Sequence, residues 1–234
     1  IKGLGPRFND YRIVHIADLH IGSFTQKALL DRWTSLINSQ KPDLILVTGD
    51  LIGSGDAYLR DVETFLSTIH APDGVIVSPG NHDYCTHSQR LFDHVEKSGA
   101  ILLRNQSLVI RRDSDCLAIV GLDDPCSRRA CLPLALDHLP PTIPVIALAH
   151  DPAFFPECAK HRIALTLSGH THGGQIAMPG FARRLSIKSF SLPFSLGVYA
   201  KNDSFLLVSG GLGTSGPPLR IGAAPEIAVI CLLS

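Results

Sequence analysis

The sequence carries no excess charge of either sign: Lys and Arg together number 21, and so do Asp and Glu. That balance excludes the global field that draws a protein to nucleic acid or to an anionic membrane. No run reaches the roughly 18 to 20 consecutive apolar residues that a membrane-spanning helix requires. There is no internal repeat and no low-complexity tract. The six cysteines form no C-x-x-C pair. Cys116 and Cys231 sit in apolar, strand-like runs, where a buried free thiol is expected. Cys126 and Cys131 are spaced to pair, but a domain of this size needs no disulfide framework, so cysteine usage does not set the compartment. The chain opens on Ile1 rather than methionine, which leaves room for a signal or anchor upstream.

What is present is a chain of 234 residues, 45% of them hydrophobic, enough for one compact domain over residues 1–234 with a sizeable core. Its first half alternates. Strands are expected over 12–17, 44–48 and 74–79, and helices over 25–39, 57–69 and 88–97. In the first helix Leu29, Trp33 and Leu36, with Leu30 and Ile37, recur at spacings of three, four and seven. In the second, Leu59, Val62, Phe65, Leu66 and Ile69 share a face. After Gly99 the texture changes to short runs, 100–103, 107–111 and 116–122, joined by brief polar turns, which suggests antiparallel pairing. A short helix over 130–138, strands into His150 and His170, a long loop over 173–197 and closing strands at 198–200, 205–209 and 226–233 complete the chain. Alternation followed by meandering strands gives an α/β (α+β) domain of two mixed β-sheets packed face to face with helices outside.

Five apolar runs end in polar residues of one chemical kind. Residues 13–17 lead into Asp18-Leu19-His20, and 44–48 into Gly49-Asp50. Residues 74–79 lead into Gly80-Asn81-His82-Asp83, 145–149 into His150-Asp151, and 163–167 into Ser168-Gly169-His170-Thr171-His172. The carboxyl ends of strands are the usual place for a site in open α/β sheets. Two aspartates, one asparagine and four histidines are more donors than one divalent ion uses. Two ions sharing a carboxylate would use Asp18, His20, Asp50, Asn81, His150, His170 and His172 fully. Asp50, alone at its strand end, is the natural bridge. Imidazole with carboxylate suits manganese, iron or zinc better than calcium. Two such ions a few ångströms apart activate a bridging hydroxide and clamp a phosphoryl oxygen for in-line hydrolysis. His82 stands outside this set, as a general acid or a partner for phosphoryl charge.

These motifs, in this order, resemble those of the calcineurin-like metallophosphoesterases. The resemblance implies a four-layer αββα sandwich. It implies one ion on Asp18, His20, Asp50 and His172, a second on Asp50, Asn81, His150 and His170, and His82 as the catalytic residue. Further on, Gly169–Gln175, then Gly211-Leu212-Gly213-Thr214-Ser215-Gly216, and Arg220 before Pro225-Glu226-Ile227, resemble a bacterial branch of small phosphodiesterases. That branch is often membrane-associated and is similar to the UDP-diacylglucosamine pyrophosphatases of lipid A synthesis. It implies a bacterial protein, cytoplasmic or peripheral on the membrane, with manganese first and iron or zinc as alternatives. The substrate would be a small-molecule or lipid-linked phosphoester rather than nucleic acid. A phosphomonoesterase, or a non-catalytic scaffold on the same fold, is the competing reading; the intact ligand set favours the enzyme.

One departure stands out. Many family members read Gly-Asp-x-x-Asp at the second motif, the later Asp orienting the catalytic histidine; here the chain reads Gly49-Asp50-Leu51-Ile52-Gly53. Either Asp56, Asp83 or another carboxylate supplies that contact, or His82 is held less firmly. His15 is expected to be a packed histidine, and His70, His87, His94, His138 and His161 surface or helix-end residues. The glycines of 210–216 either cradle phosphate through backbone amides or form a tight connection, and Arg220 either reaches a substrate phosphate or pairs structurally. Phe181, Leu185, Ile187, Phe190, Leu192, Phe194 and Leu196, with Arg183, Arg184 and Lys188, crowd one loop. Half or more of these apolar residues belong in the core, and the rest would rim the site for a greasy substrate.

Overall fold

The computed structural model describes residues 1–53, 55–176 and 193–233. Five strands form one sheet: β1 (Arg12–Ile16), β2 (Leu44–Thr48), β3 (Val75–Ser78), β4 (Ile101–Leu102) and β11 (Ala228–Cys231), in the order β11-β1-β2-β3-β4. The second sheet contains β5 (Gln106–Arg112), β6 (Asp115–Gly121), β7 (Val145–Leu148), β8 (Leu165–Ser168), β9 (Gly197–Lys201) and β10 (Ser204–Val208), ordered β5-β6-β7-β8-β10-β9. Both are mixed. β1 through β4 run parallel with β11 antiparallel at the edge; β6, β7, β8 and β10 run parallel between antiparallel β5 and β9.

Side-chain alternation decides the layers. Ile13, Leu44, Leu46 and Ile76 face the second sheet, where Leu117, Ile119, Ile146 and Leu148 meet them. Val14, Ile16, Ile45 and Val47 face outward onto α1 (Lys27–Ser39), α2 (Leu59–Thr68) and α3 (Ser88–Lys97), through Trp33, Ile37, Val62, Phe65, Leu91 and Phe92. The second sheet turns Val120 and Ala147 toward α4 (Leu132–Leu136) and α5 (Phe155–Lys160). The result is the expected four-layer αββα sandwich.

Three expectations change. The run at 100–103 is not the start of an antiparallel meander: α3 is a crossover, so β4 returns parallel to β3, Ile76 opposite Ile101. The meander begins only at β5. Second, α5 forms where no element was expected. Third, Cys231 is exposed and Cys116 partly exposed, because each sits on the solvent side of its strand, whereas Cys158 on α5 is the buried thiol; all the cysteines are free. Of the crowded loop, Phe181, Leu185, Ile187, Phe190 and Leu192, with Arg183, Arg184 and Lys188, lie outside the described residues. Phe194 and Leu196 are partly buried and pack against the core. Phe194 packs edge-on against Phe155 and Tyr199, with centroids at 5.7 and 5.1 Å, and Leu196 packs on Ala223. No helix among the described residues is long and apolar enough to cross a membrane.

Candidate metal centre

Every expected donor stands just beyond a strand: Asp18 and His20 after β1, Asp50 after β2, Asn81 and His82 after β3, His150 after β7, His170 and His172 after β8. The strand ends of both sheets meet at one rim, where the His170 amide donates to the Asp18 carboxylate at 2.9 Å. Turning the chain so sharply has a conformational cost. Asp18 (φ 51°), His20 (43°), Asp50 (52°), His170 (69°) and His172 (54°) all hold left-handed backbone. Non-glycine residues seldom adopt it, and it persists where surrounding structure over-determines it, often at functional sites. The glycines of the motifs make room: a Cβ on Gly80 would overlap the Asp50 carboxylate, and one on Gly169 that of Asp18.

The donors fall into two groups that share Asp50. Asp18, His20, Asp50 and His172 are all buried, with ligand atoms within 4.8 Å of one another. The Nε2 atoms of His20 and His172 face each other at 3.0 Å, and His20 Nε2 is 3.5 Å from Asp50 Oδ2. On the other side His150 Nε2 is 3.3 Å from that same Asp50 oxygen, and His170 Nδ1 is 3.0 Å from Asn81 Oδ1. His150 directs Nδ1 to the Thr48 carbonyl at 2.7 Å, while its Nε2 is buried against the Asp50 carboxylate. A ligand imidazole oriented through its other nitrogen has this arrangement.

The electrostatics suit a cation-binding site. Burial, reinforced by the neighbouring Asp50 carboxylate, pushes Asp18 up to about 7. Burial acts the same way on Asp50, but His150, His20 and His82 outweigh it and hold Asp50 below the usual carboxylate range. Burial lowers His20 to about 4, leaving its ring neutral and free to bind. His150 is opposed by burial yet raised to about 10 by Asp50 and Asp18. Two buried carboxylates facing neutral or shared-proton imidazoles fit a divalent ion, which would supply the positive charge that protons supply without it.

The structure supplies the partners of the residues singled out around the donors. Asp83 touches no imidazole. Its two oxygens accept from the amides of Asp50 (3.0 Å), Leu51 (2.8 Å) and Gly80 (2.8 Å), tying the second and third motifs together. Asp56 is spent on Thr86, His87 and Arg90. Neither carboxylate fills the place left by Gly53. Instead the Gly53 carbonyl lies 3.4 Å from His82 Nδ1, and the His82 ring stands edge-on to His20 with centroids at 4.8 Å. The 210–213 loop is a connection and not a phosphate cradle: its amides go to Glu226, Ser209, Ala17 and Asp18. Arg220 clamps that loop, donating to the carbonyls of Gly210 (2.8 Å) and Gly213 (3.0 Å) and reaching toward His172. Burial lowers its pKa, against the pull of Asp18 and Glu226. His15 is packed as expected, its Nε2 2.8 Å from Thr48 Oγ1.

Beside the first group opens a cleft of about 480 Å³, walled by Phe24, Leu29, Trp33 and Tyr58, with His20 and His82 at its inner end. Phe24 at its lip is 62% exposed.

The family profile described as Calcineurin-like phosphoesterase matches residues 11–174, which hold every donor named above. The chain belongs to that family. It is 32% identical over 232 residues to an uncharacterized metallophosphoesterase, YkuE, of Bacillus subtilis (strain 168), covering 97% of this chain and 80% of that protein. To a transmembrane protein with metallophosphoesterase domain of Danio rerio it is 31% identical, over 99% of this chain but 55% of the other. Among solved structures, the phosphopantetheinyl hydrolase PptH of Mycobacterium tuberculosis superposes with a TM-score of 0.55 at 15% identity, over 85% of this chain and 88% of that one. At that identity the likeness speaks for the fold. This metallophosphoesterase is thus a hydrolase with a cluster of Asp and His able to bind metal.

Proposed function

We propose that this metallophosphoesterase hydrolyses a phosphodiester or pyrophosphate bond at a pair of divalent ions. Asp18, His20, Asp50 and His172 hold one; Asp50, Asn81, His150 and His170 hold the other. The observation that carries this reading is the position of Asp50, one oxygen of which lies within 3.5 Å of an imidazole from each group. Manganese suits these donors, with iron or zinc as alternatives. Such ions, when bound, make water nucleophilic at neutral pH and neutralise phosphoryl oxygens.

The chain's own residues do the rest. His82 sits outside both donor groups and lines the cleft, so its ring is free to pass a proton to the leaving oxygen. Asp83 and the Gly53 carbonyl fix the turn and the ring. The apolar cleft beside His82 favours a substrate with an apolar arm, a nucleotide-lipid or similar amphiphile. Docking of the protein on a membrane surface goes with that reading. The test is hydrolysis by manganese-loaded protein of bis-p-nitrophenyl phosphate, p-nitrophenyl phosphate and an acylated diester, with metal content measured in parallel. We expect two ions per chain, diester cleaved faster than monoester, and a lower KM for the acylated substrate. Absence of hydrolysis with both ions bound would leave the scaffold reading in its place.

A further inference from the structure

A second set of donors adjoins the same centre. Cys126 Sγ, a carboxylate oxygen of Asp151 and a ring nitrogen of His170 lie within 4.8 Å of one another. The sulfur is 3.4 Å from Asp151 Oδ2. It is held in place from behind: buried Asp124 accepts from the Cys126 and Ser127 amides at 3.0 and 2.9 Å, closing the turn that carries the thiol. Asp151 is fixed in turn by the Ala153 amide, 2.8 Å from its other oxygen. In a tetrahedral zinc site, bonds of about 2.3 Å to sulfur and 2.1 Å to nitrogen place those two donors about 3.6 Å apart. Three atoms within 4.8 Å of one another reach that spacing when the exposed thiol draws in by about an ångström.

We propose that Cys126 is a thiolate ligand of the ion on the Asn81–His150–His170 side, with Asp151 beside it. The thiol proton leaves to solvent as the sulfur–metal bond forms, and nothing is oxidised or reduced. The consequence is a centre with unequal halves. The Asp18 side offers oxygen and nitrogen only and accepts manganese; the Cys126 side adds a soft donor and prefers zinc or ferrous iron. This rests on the two-ion reading above.

X-ray absorption of the full chain loaded with zinc tests it directly. The expected spectrum has a sulfur shell at about 2.3 Å beside nitrogen and oxygen at about 2.0–2.1 Å. Cys126→Ser, a small change at an exposed position, removes the sulfur shell, and Cys131→Ser keeps it. With cobalt in place of zinc, the parent shows a thiolate-to-metal charge-transfer band that Cys126→Ser lacks. In competition, the zinc-over-manganese preference of the second ion falls at least about 10-fold in Cys126→Ser, the scale on which outer partners tune metal affinity. A zinc-loaded parent with nitrogen and oxygen ligands alone, or a Cys126→Ser variant that keeps its sulfur shell, overturns the assignment. Metal analysis of the same samples separates the failures. Two ions per chain without sulfur sinks the cysteine ligand alone; one ion without sulfur sinks the two-ion reading with it.

Discussion

The two halves of the centre are built to different standards of rigidity. Asp18, His20, Asp50 and His172 are all buried, and all four have left-handed backbone. They come from β1 and β2 in the middle of the five-stranded sheet and from the turn after β8, and Arg220 clamps the loop behind them. In the other half His150 is buried but Asn81 and His170 are partly exposed, and His170 alone of the unshared donors is left-handed. Both halves draw on interior strands of both sheets, so the difference lies in burial and backbone: Asp18, His20 and His172 are buried and left-handed, whereas of Asn81, His150 and His170 only His150 is buried. On the two-ion proposal, the buried half would bind with little reordering, and the open half would be where an ion exchanges and a substrate oxygen enters.

Asp50 belongs to both halves, so it gives the harshest test of whether they form one unit. Asp50→Asn keeps the shape and removes the charge that lies between His20 and His150. The expected outcome is loss of both ions by elemental analysis and an activity loss beyond the roughly 10²–10⁴-fold assigned to general acid catalysis. A variant that retains one tight ion would show that Asp50 serves a single half.

Asp18→Asn and Asn81→Ala then probe the halves separately. Each should cost one ion of two, but with a different signature. The buried half should lose its ion outright, because a preorganised cage tolerates no missing charge. The open half should keep partial occupancy at high metal, since water can replace an amide oxygen. Titration by calorimetry reads the difference; identical isotherms for the two variants would erase the proposed asymmetry.

His82→Ala should leave metal content unchanged and cost about 10²–10⁴-fold on substrates with poor leaving groups. On a p-nitrophenyl ester, whose leaving group needs no proton, the loss should be much smaller. Equal losses across leaving groups would assign His82 to phosphoryl charge instead. A fall in metal content would make it a ligand.

The pattern of these tests follows from what the sequence made legible. The donors could be found because each follows an apolar run, and the run itself is the strand that positions it. β1 to β3 and α1 to α3 were readable for the same reason, with long periodic segments whose buried faces repeat. β4 was misread because two residues carry no period and its direction is set by the α3 crossover. α5, Phe155–Lys160, is only six residues long, too short for an apolar period to repeat. Least legible were contacts that join distant segments: Asp83 to three backbone amides, Arg220 to the 210–213 carbonyls, and Cys126 to Asp151. These depend on where whole loops come to rest, and no local spacing encodes that.

Proton and metal should compete for this centre. The folded protein raises Asp18 and Asp83 to about 7, chiefly by burial, and His150 to about 10 through Asp50 and Asp18 overriding burial. A raised group adds stability that is complete below its unfolded value and is lost as pH rises through its folded one. For the two aspartates that window runs from about 4 to about 7, and for His150 from about 6.5 to about 10. Asp50, held low, and the buried His20 and His15, lowered to about 4 and about 3, work in the opposite sense; the histidine contributions are complete above about 6.5 and partly offset the aspartates below it. The metal-free protein should therefore weaken from pH 5.5 to 8. A divalent ion replaces the departing protons, so the rise in Tm on adding manganese should be several degrees larger at pH 8 than at pH 5.5. An equal rise at both values would mean that Asp18 and His150 do not face the ion.

The smallest expected effect concerns Gly53, and it asks whether a main-chain carbonyl is enough to aim His82. Gly53 has ordinary right-handed or extended backbone, and a Cβ there would meet nothing closer than the His20 carbonyl at 3.5 Å, an ordinary contact. Gly53→Ala should then fold and turn over like the parent. Gly53→Asp would put a carboxylate where many relatives of the family have one, near a ring whose Nδ1 lies 3.4 Å from the Gly53 carbonyl. If that contact and the edge-on packing against His20 already hold the ring, the new carboxylate changes kcat by less than about 10-fold, in line with one hydrogen bond of about 1 kcal/mol. Metal content and KM should stay as they were. A gain of 100-fold or more would mean that His82 is loosely held in this chain. The cleft side of the centre, rather than its open metal half, would then be the place where rigidity limits the rate.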